Sequence, residues 1–151
     1  MPSPSSSLQS DDVGRALAAM AAEAGDLIRP LWRTGVEVTR KADASPVTEA
    51  DQRAEALILR RLAEAFPGVV VVGEEGCADG GAPEEVPSQF FLVDPLDGTR
   101  GFISGSTEFT VNIALIENGY PAAGAVCTPA DGRLWFTSGG AWLRDGAGER
   151  A

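Results

Sequence analysis

A chain of 151 residues with 44% hydrophobic and 23% charged side chains reads as one ordinary soluble globular domain, long enough to bury a core. Its formal net charge of −10 argues against nucleic acid or an anionic membrane as partner, and it repels a small phosphorylated molecule except where a cation or oriented N–H groups invert the local field. With no histidine, Ser-His-Asp and Cys-His nucleophilic schemes and His-based zinc sites are excluded, so carboxylates, hydroxyls and backbone must carry any chemistry.

Met1 to Ser10 is rich in Ser and Pro and lacks a basic start and an apolar core, so residues 1–10 are expected to be a disordered tail rather than a signal peptide, with the domain over 11–151. No stretch approaches the ~20 apolar residues of a membrane-spanning helix. From Asp11 to about Trp32, Val13, Leu17, Met20, Ala24, Leu27, Ile28 and Leu31 form one helical stripe, with Ser10 as N-cap and Pro30 ending or bending the last turn. Val36 to Arg40 alternates and predicts a short strand, after which Lys41 to Val47 is polar and turn-rich, Lys41 reading as a solvated loop lysine. Thr48 opens a second helix, with Ala54, Leu57, Ile58, Leu62, Ala65 and Phe66 on its apolar side, and Pro67-Gly68 stops it. Thr48 and Asp51 fit a capping box, and on the residues alone a cap is the favoured role for Asp51.

Val69 to Val72 predicts a strand buried on both faces, ending at the acids Glu74 and Glu75; adjacent glutamates in a loop are equally compatible with plain surface charge. Cys77 to Ser88 predicts a mobile loop. Cys77 and Cys127 lie in no metal-binding spacing and point to free thiols in a reducing, cytoplasmic compartment. The apolar run Phe90 to Val93 predicts a buried strand that ends by emitting Asp94 and Asp97, with Pro95 stiffening the turn between them. Two like charges held that close are stable around a cation, and hard oxygen ligands suit Mg²⁺. Gly98 permits a sharp turn, and Thr99 offers a hydroxyl where N–H groups could receive an anion. An ordinary Asp-Gly turn closing a strand would look the same. Gly101 to Gly105 could close over a phosphate. Phe109 to Ile116 alternates as a long strand, Asn118-Gly119 predicts a hairpin back through Pro121 to Val126, and Asp131-Gly132 turns the chain into Leu134 to Phe136. Ala141 to Leu143 predicts a last short strand, followed by a polar, glycine-rich close. The order of helices and strands is that of a layered α+β domain.

In order and spacing, Lys41 to Asp51, Val69 to Gly76, Asp94 to Thr99 and Glu108 to Ile116 resemble the inositol monophosphatase-like superfamily of Mg²⁺-dependent phosphatases. The run Leu92 to Ile116 looks most like its 3′(2′),5′-bisphosphate nucleotidase branch. The resemblance implies the amino-terminal half of a layered helix/sheet sandwich that hydrolyses adenosine 3′,5′-bisphosphate. Glu74, Asp94, Asp97 and the Leu96 carbonyl would bind Mg²⁺, with Glu75 behind them. Asp51 and Thr99 would activate water together with Glu74, Gly98 and Thr99 would hold phosphate, and Lys41 would approach the metal waters. Inositol phosphates or histidinol phosphate are alternative substrates. The family's later Trp-Asp motif is missing, since Trp32, Trp135 and Trp142 precede Arg33, Phe136 and Leu143. A carboxy-terminal domain is thus expected to be absent, and a non-catalytic metal-binding fragment is the other alternative.

Overall fold

The computed structural model describes residues 9–34, 38–40, 46–73 and 87–151. Helix α1 (Ser10–Ile28) is amphipathic, and it buries Val13, Leu17, Ala21, Ala24 and Ile28 on one side. Its N-cap is Gln9 and not Ser10: the Gln9 carbonyl already accepts from the Val13 amide, while no side chain caps the end. Pro30 does close the helix, which tightens into a 3₁₀ turn over Arg29–Leu31. Strand β1 (Val38–Arg40) pairs antiparallel with β2 (Pro46–Thr48). The expectation of turn for 41–47 is corrected at its end, where the β-branched pair Val47 and Thr48 joins a ladder; residues 41–45 lie outside the described residues. Helix α2 (Glu49–Ala65) starts at Thr48 with the predicted capping box.

Among the described residues the main sheet runs β3 (Val70–Gly73), β4 (Gln89–Asp97), β5 (Thr110–Glu117), β6 (Tyr120–Thr128), β7 (Arg133–Thr137), β8 (Ala141–Asp145) and β9 (Gly148–Arg150) in sequence order. Only the β3–β4 pair is parallel; every other pair is antiparallel. The β5–β6 hairpin turns at Asn118 and Gly119, both left-handed, as the Asn-Gly signal predicts. Strand β9 goes beyond the polar close expected from sequence. Its side chains are all exposed, so no hydrophobic alternation announced it; Arg144–Glu149 and Arg150–Asp145 ion pairs line the hairpin instead.

Helix α1 packs on β5, β6 and β7, and α2 packs on β4 and β3, all on one side of the sheet. The core lies there, with Phe91, Val93, Val111, Ile113, Leu115, Ala125, Leu134 and Phe136 facing the helices. The other face is apolar and is not covered by the described residues: Leu92 is 41% exposed, and a groove of 660 Å³ is lined there by Val72, Leu92, Asp94, Asn112 and Trp135. This corrects the expectation for 69–72. Among the described residues the valines of β3 sit on an edge strand, and Val70 is exposed while Val71 and Val72 are half-buried.

Candidate active site

The acids of the central motif are not emitted from a turn after the strand. Strand β4 continues to Asp97 and carries an irregularity where Asp94 pairs with Asn112 and Asp97 with Thr110. Three steps along β4 match two along β5, so one extra residue is accommodated, as in a β-bulge. In a regular strand two residues three apart face opposite sides; the extra residue returns Asp97 to the side of Asp94. Pro95 fits at this irregularity because it has no N–H to contribute to a ladder. Pro95 and Leu96 are buried, Asp94 is half-buried with Oδ1 enclosed by protein, and Asp97 is exposed.

The chain then turns at Gly98 (φ +86°), where a Cβ would lie 2.6 Å from the Glu108 carbonyl oxygen, so only glycine fits both the backbone and the space. Helix α3 (Thr99–Ser104) follows directly and ends at Gly105, which also has positive φ. Residues 101–105, read in the sequence as able to close over a phosphate, form the body of a short helix and its C-cap. Its underside is held by an aromatic stack: Phe102 meets Phe109 edge-on at 5.2 Å, and Trp32 packs on Phe109 at 5.5 Å. Trp32 Nε1 donates to the Ser106 carbonyl and Arg33 to that of Gly105. Sequence reasoning gave Trp32 no such part, because its partners lie more than 70 positions away and no local pattern joins them.

Asp51 is 1% exposed at the start of α2. Its Oδ2 accepts from the Thr48 amide at 2.9 Å and the Thr48 hydroxyl at 2.6 Å. Its Oδ1 lies 3.0 Å from the Thr99 hydroxyl, which is also 3.2 Å from the Leu96 carbonyl. One carboxylate therefore caps α2 with one oxygen and joins the central motif with the other. The capping residue is thus also the one that reaches Thr99. Asn112 and Thr110, opposite Asp94 and Asp97, bond to each other at 2.9 Å. Their place beside the acids was foreshadowed only by their polar alternation in β5.

Asp97 and Gly98 also border a cleft of 550 Å³ with Glu108, Thr110, Asp131 and Arg133. Arg133 is committed to Asp131 at 2.6 Å, and this hydrogen bond, with help from the Thr128 hydroxyl, holds the Asp131 carboxyl down to about 2. The cleft thus keeps an acidic balance that favours a cation over a bare phosphate.

Glu74, Glu75 and Lys41 lie outside the described residues. Among the described residues no three acidic or cysteine side chains converge to hold a metal ion. The donors that are described, Asp94, Asp97 and the Leu96 carbonyl, are all hard oxygens, and that set fits Mg²⁺ in kind while offering nothing to a soft metal. Cys127 is a free thiol buried under the helices. No helix among the described residues is long and apolar enough to cross a membrane.

The model of the family described as "Inositol monophosphatase family" matches residues 9–148. The 3′(2′),5′-bisphosphate nucleotidase CysQ of Escherichia coli (strain K12) is 40% identical over 126 residues, which cover 77% of this chain and 51% of that protein. A histidinol-phosphatase of Mycobacterium tuberculosis is 37% identical over 86% of this chain and 48% of its own length. Among solved structures, Mycobacterium tuberculosis SuhB superposes with a TM-score of 0.75 at 29% identity, covering 95% of this chain and 52% of that one. CysQ from Bacteroides thetaiotaomicron gives 0.69 at 31% identity, covering 90% and 50%. The chain spans about half the length of the curated relatives it matches.

Proposed function

Because this chain belongs to the inositol monophosphatase family, we propose that it carries the metal-binding acids of a Mg²⁺-dependent phosphate monoesterase whose substrate is adenosine 3′,5′-bisphosphate. The observation that carries the reading is the link from Asp51 Oδ1 through the Thr99 hydroxyl to the Leu96 carbonyl, at the irregularity that sets Asp94 and Asp97 on one side of β4. The substrate is chosen from the nucleotidases named among the relatives.

Glu74, Asp94 and the Leu96 carbonyl would hold one Mg²⁺, and Asp94 with Asp97 a second. When bound, the ions supply positive charge to the phosphoryl oxygens and acidify water. Thr99 and Asp51 handle the proton. The Thr99 hydroxyl donates to Asp51 Oδ1, which leaves its own oxygen to accept from the attacking water and so orient it. As the water oxygen bonds to phosphorus and the ester P–O bond breaks, the water proton passes to Thr99 Oγ1 and the Thr99 proton to Asp51. Solvent protonates the departing ribose oxygen. Asp51 cannot swing away during this transfer, since Oδ2 is anchored to Thr48. Gly98 and Thr99 amides would steady the phosphate, and no covalent intermediate is needed. A cytoplasmic setting accords with the free Cys127 thiol.

Mn²⁺ titration read by paramagnetic resonance tests the metal part: Asp94→Asn should weaken binding more than Asp97→Asn, because Asp94 serves both ions. Equal losses, or none, would sink the shared-ligand assignment. Phosphate release from adenosine 3′,5′-bisphosphate, inositol phosphate and histidinol phosphate, assayed side by side, tests the substrate; preference for either of the latter two would reassign it.

A further inference from the structure

Helix α2 buries a second acid that the proposed chemistry does not use. Glu55 lies one turn beyond Asp51, on the same side of the helix, and is 8% exposed. Its carboxylate presses on the end of β3: a Cβ built on Gly73 would stand 2.2 Å from Glu55 Oε1 and 3.3 Å from its Cδ, and the next nearest atom is also Glu55's. Glu55 therefore occupies the place of a side chain at position 73. Gly73 pairs in parallel with Val93. Asp94 follows Val93 along β4, and Glu74 follows Gly73 in the sequence. An apolar side chain would fill this space without the cost of withdrawing a carboxylate from water, so packing alone does not account for a glutamate here.

We propose that Glu55 is a positioning residue for metal binding: its carboxylate, seated on Gly73, fixes the end of β3 against β4 where Val93 leads into Asp94. The inference rests on the metal-binding reading given above. A purely structural Glu55 would change the stability of the fold and leave the metal affinity of the folded chain where it was.

The test is Mn²⁺ titration of the 151-residue chain by paramagnetic resonance, with urea unfolding of each variant alongside. Glu55→Ala should weaken Mn²⁺ binding by about 10- to 100-fold, the usual effect of losing a residue that supports metal ligands. Glu55→Gln keeps length and one oxygen in place, and should bind close to the parent. Gly73→Ala drives the carboxylate from its seat and should weaken Mn²⁺ as Glu55→Ala does; in the double variant the alanine at 73 should add no further loss, because the Glu55 carboxylate it displaces is already gone. Parental Mn²⁺ affinity in folded Glu55→Ala overturns the proposal, and so does a Glu55→Gln variant as impaired as Glu55→Ala, which would mean that the charge itself is sensed. If Glu55→Ala does not fold, Gly73→Ala decides, and parental affinity there overturns the proposal equally. A parent chain that binds no Mn²⁺ overturns the metal reading and this inference together. A parent that loses Mn²⁺ in Asp94→Asn but not in Glu55→Ala or Gly73→Ala overturns this inference alone.

Discussion

Replacing Asp51 by asparagine and by alanine separates the two oxygens of its carboxylate. Asparagine keeps one oxygen, and with it at the Oδ2 position both bonds to Thr48 survive. Its NH₂ group then faces Thr99, whose hydroxyl accepts from the amide and turns its own proton to the Leu96 carbonyl 3.2 Å away. No buried donor loses its acceptor, so the cost should be about 1 kcal/mol, the scale of a helix cap. Alanine instead leaves the buried Thr48 amide with nothing to donate to. That adds about 1–3 kcal/mol to the lost cap, for a total of about 3 kcal/mol. With a urea dependence of about 2 kcal/mol per molar, the two variants should unfold about 1 M apart, and equilibrium urea titration followed by tryptophan fluorescence reads this directly. In a phosphate-release assay both variants should be nearly inactive, because in both the Thr99 proton has lost its route to Asp51. Coincident midpoints would refute the hydrogen-bond assignment. Parental turnover in Asp51→Asn would refute Asp51 as proton acceptor.

Gly98→Ala should cost at least about 2 kcal/mol in urea unfolding, whereas Gly119→Ala, with similar positive φ but open space around it, should cost about 1 kcal/mol; equal costs would mean that the Glu108 contact does not constrain residue 98. Asp131→Asn should lower stability at neutral pH. Since the folded carboxyl sits at about 2, below its unfolded value, the difference should fade as pH falls from about 4 towards 2, and a pH-independent difference would count against the Arg133 pairing. Burial pushes the Cys127 thiol up to about 11, so in a Cys77→Ser chain it should resist thiol reagents at pH 8 until the fold opens; labelling at the unfolded rate would contradict its place in the core.

Where local rules govern, the sequence was legible. The amphipathic stripe of α1, the Thr48 capping box and the Asn118-Gly119 turn each depend on residues a few positions apart, and each is in the fold as read. What escaped depends on distant partners. Val70 and Val72 look like a buried strand because β-branched runs usually are; which strands lie at an edge, and which sheet face is covered, is settled by α1 and α2 packing on one side only. The register step between Asp94 and Asp97 was unreadable for a related reason, since an extra residue is defined only by its partner, and Pro95-Leu96 equally suggests a turn. Asp51 and Thr99 could be nominated separately, yet their hydrogen bond spans 48 positions and is visible only in three dimensions.

The seat of α1 sets a schedule for biosynthesis. This helix packs on β5, β6 and β7, and is pinned near its N-terminal end by Asp11 to the Gly139 amide and by Arg15 to Ser138 and Glu149. Those partners leave a ribosome long after α1 does. At about 5–20 residues per second, the roughly 100 residues between α1 and β7 take about 5–20 s to emerge, and through that interval the apolar stripe of α1 has no sheet to cover it. A nascent chain of this design is a client for hydrophobic-binding chaperones from its first helix onward, and slowing translation downstream of Ile28 should lengthen that dependence.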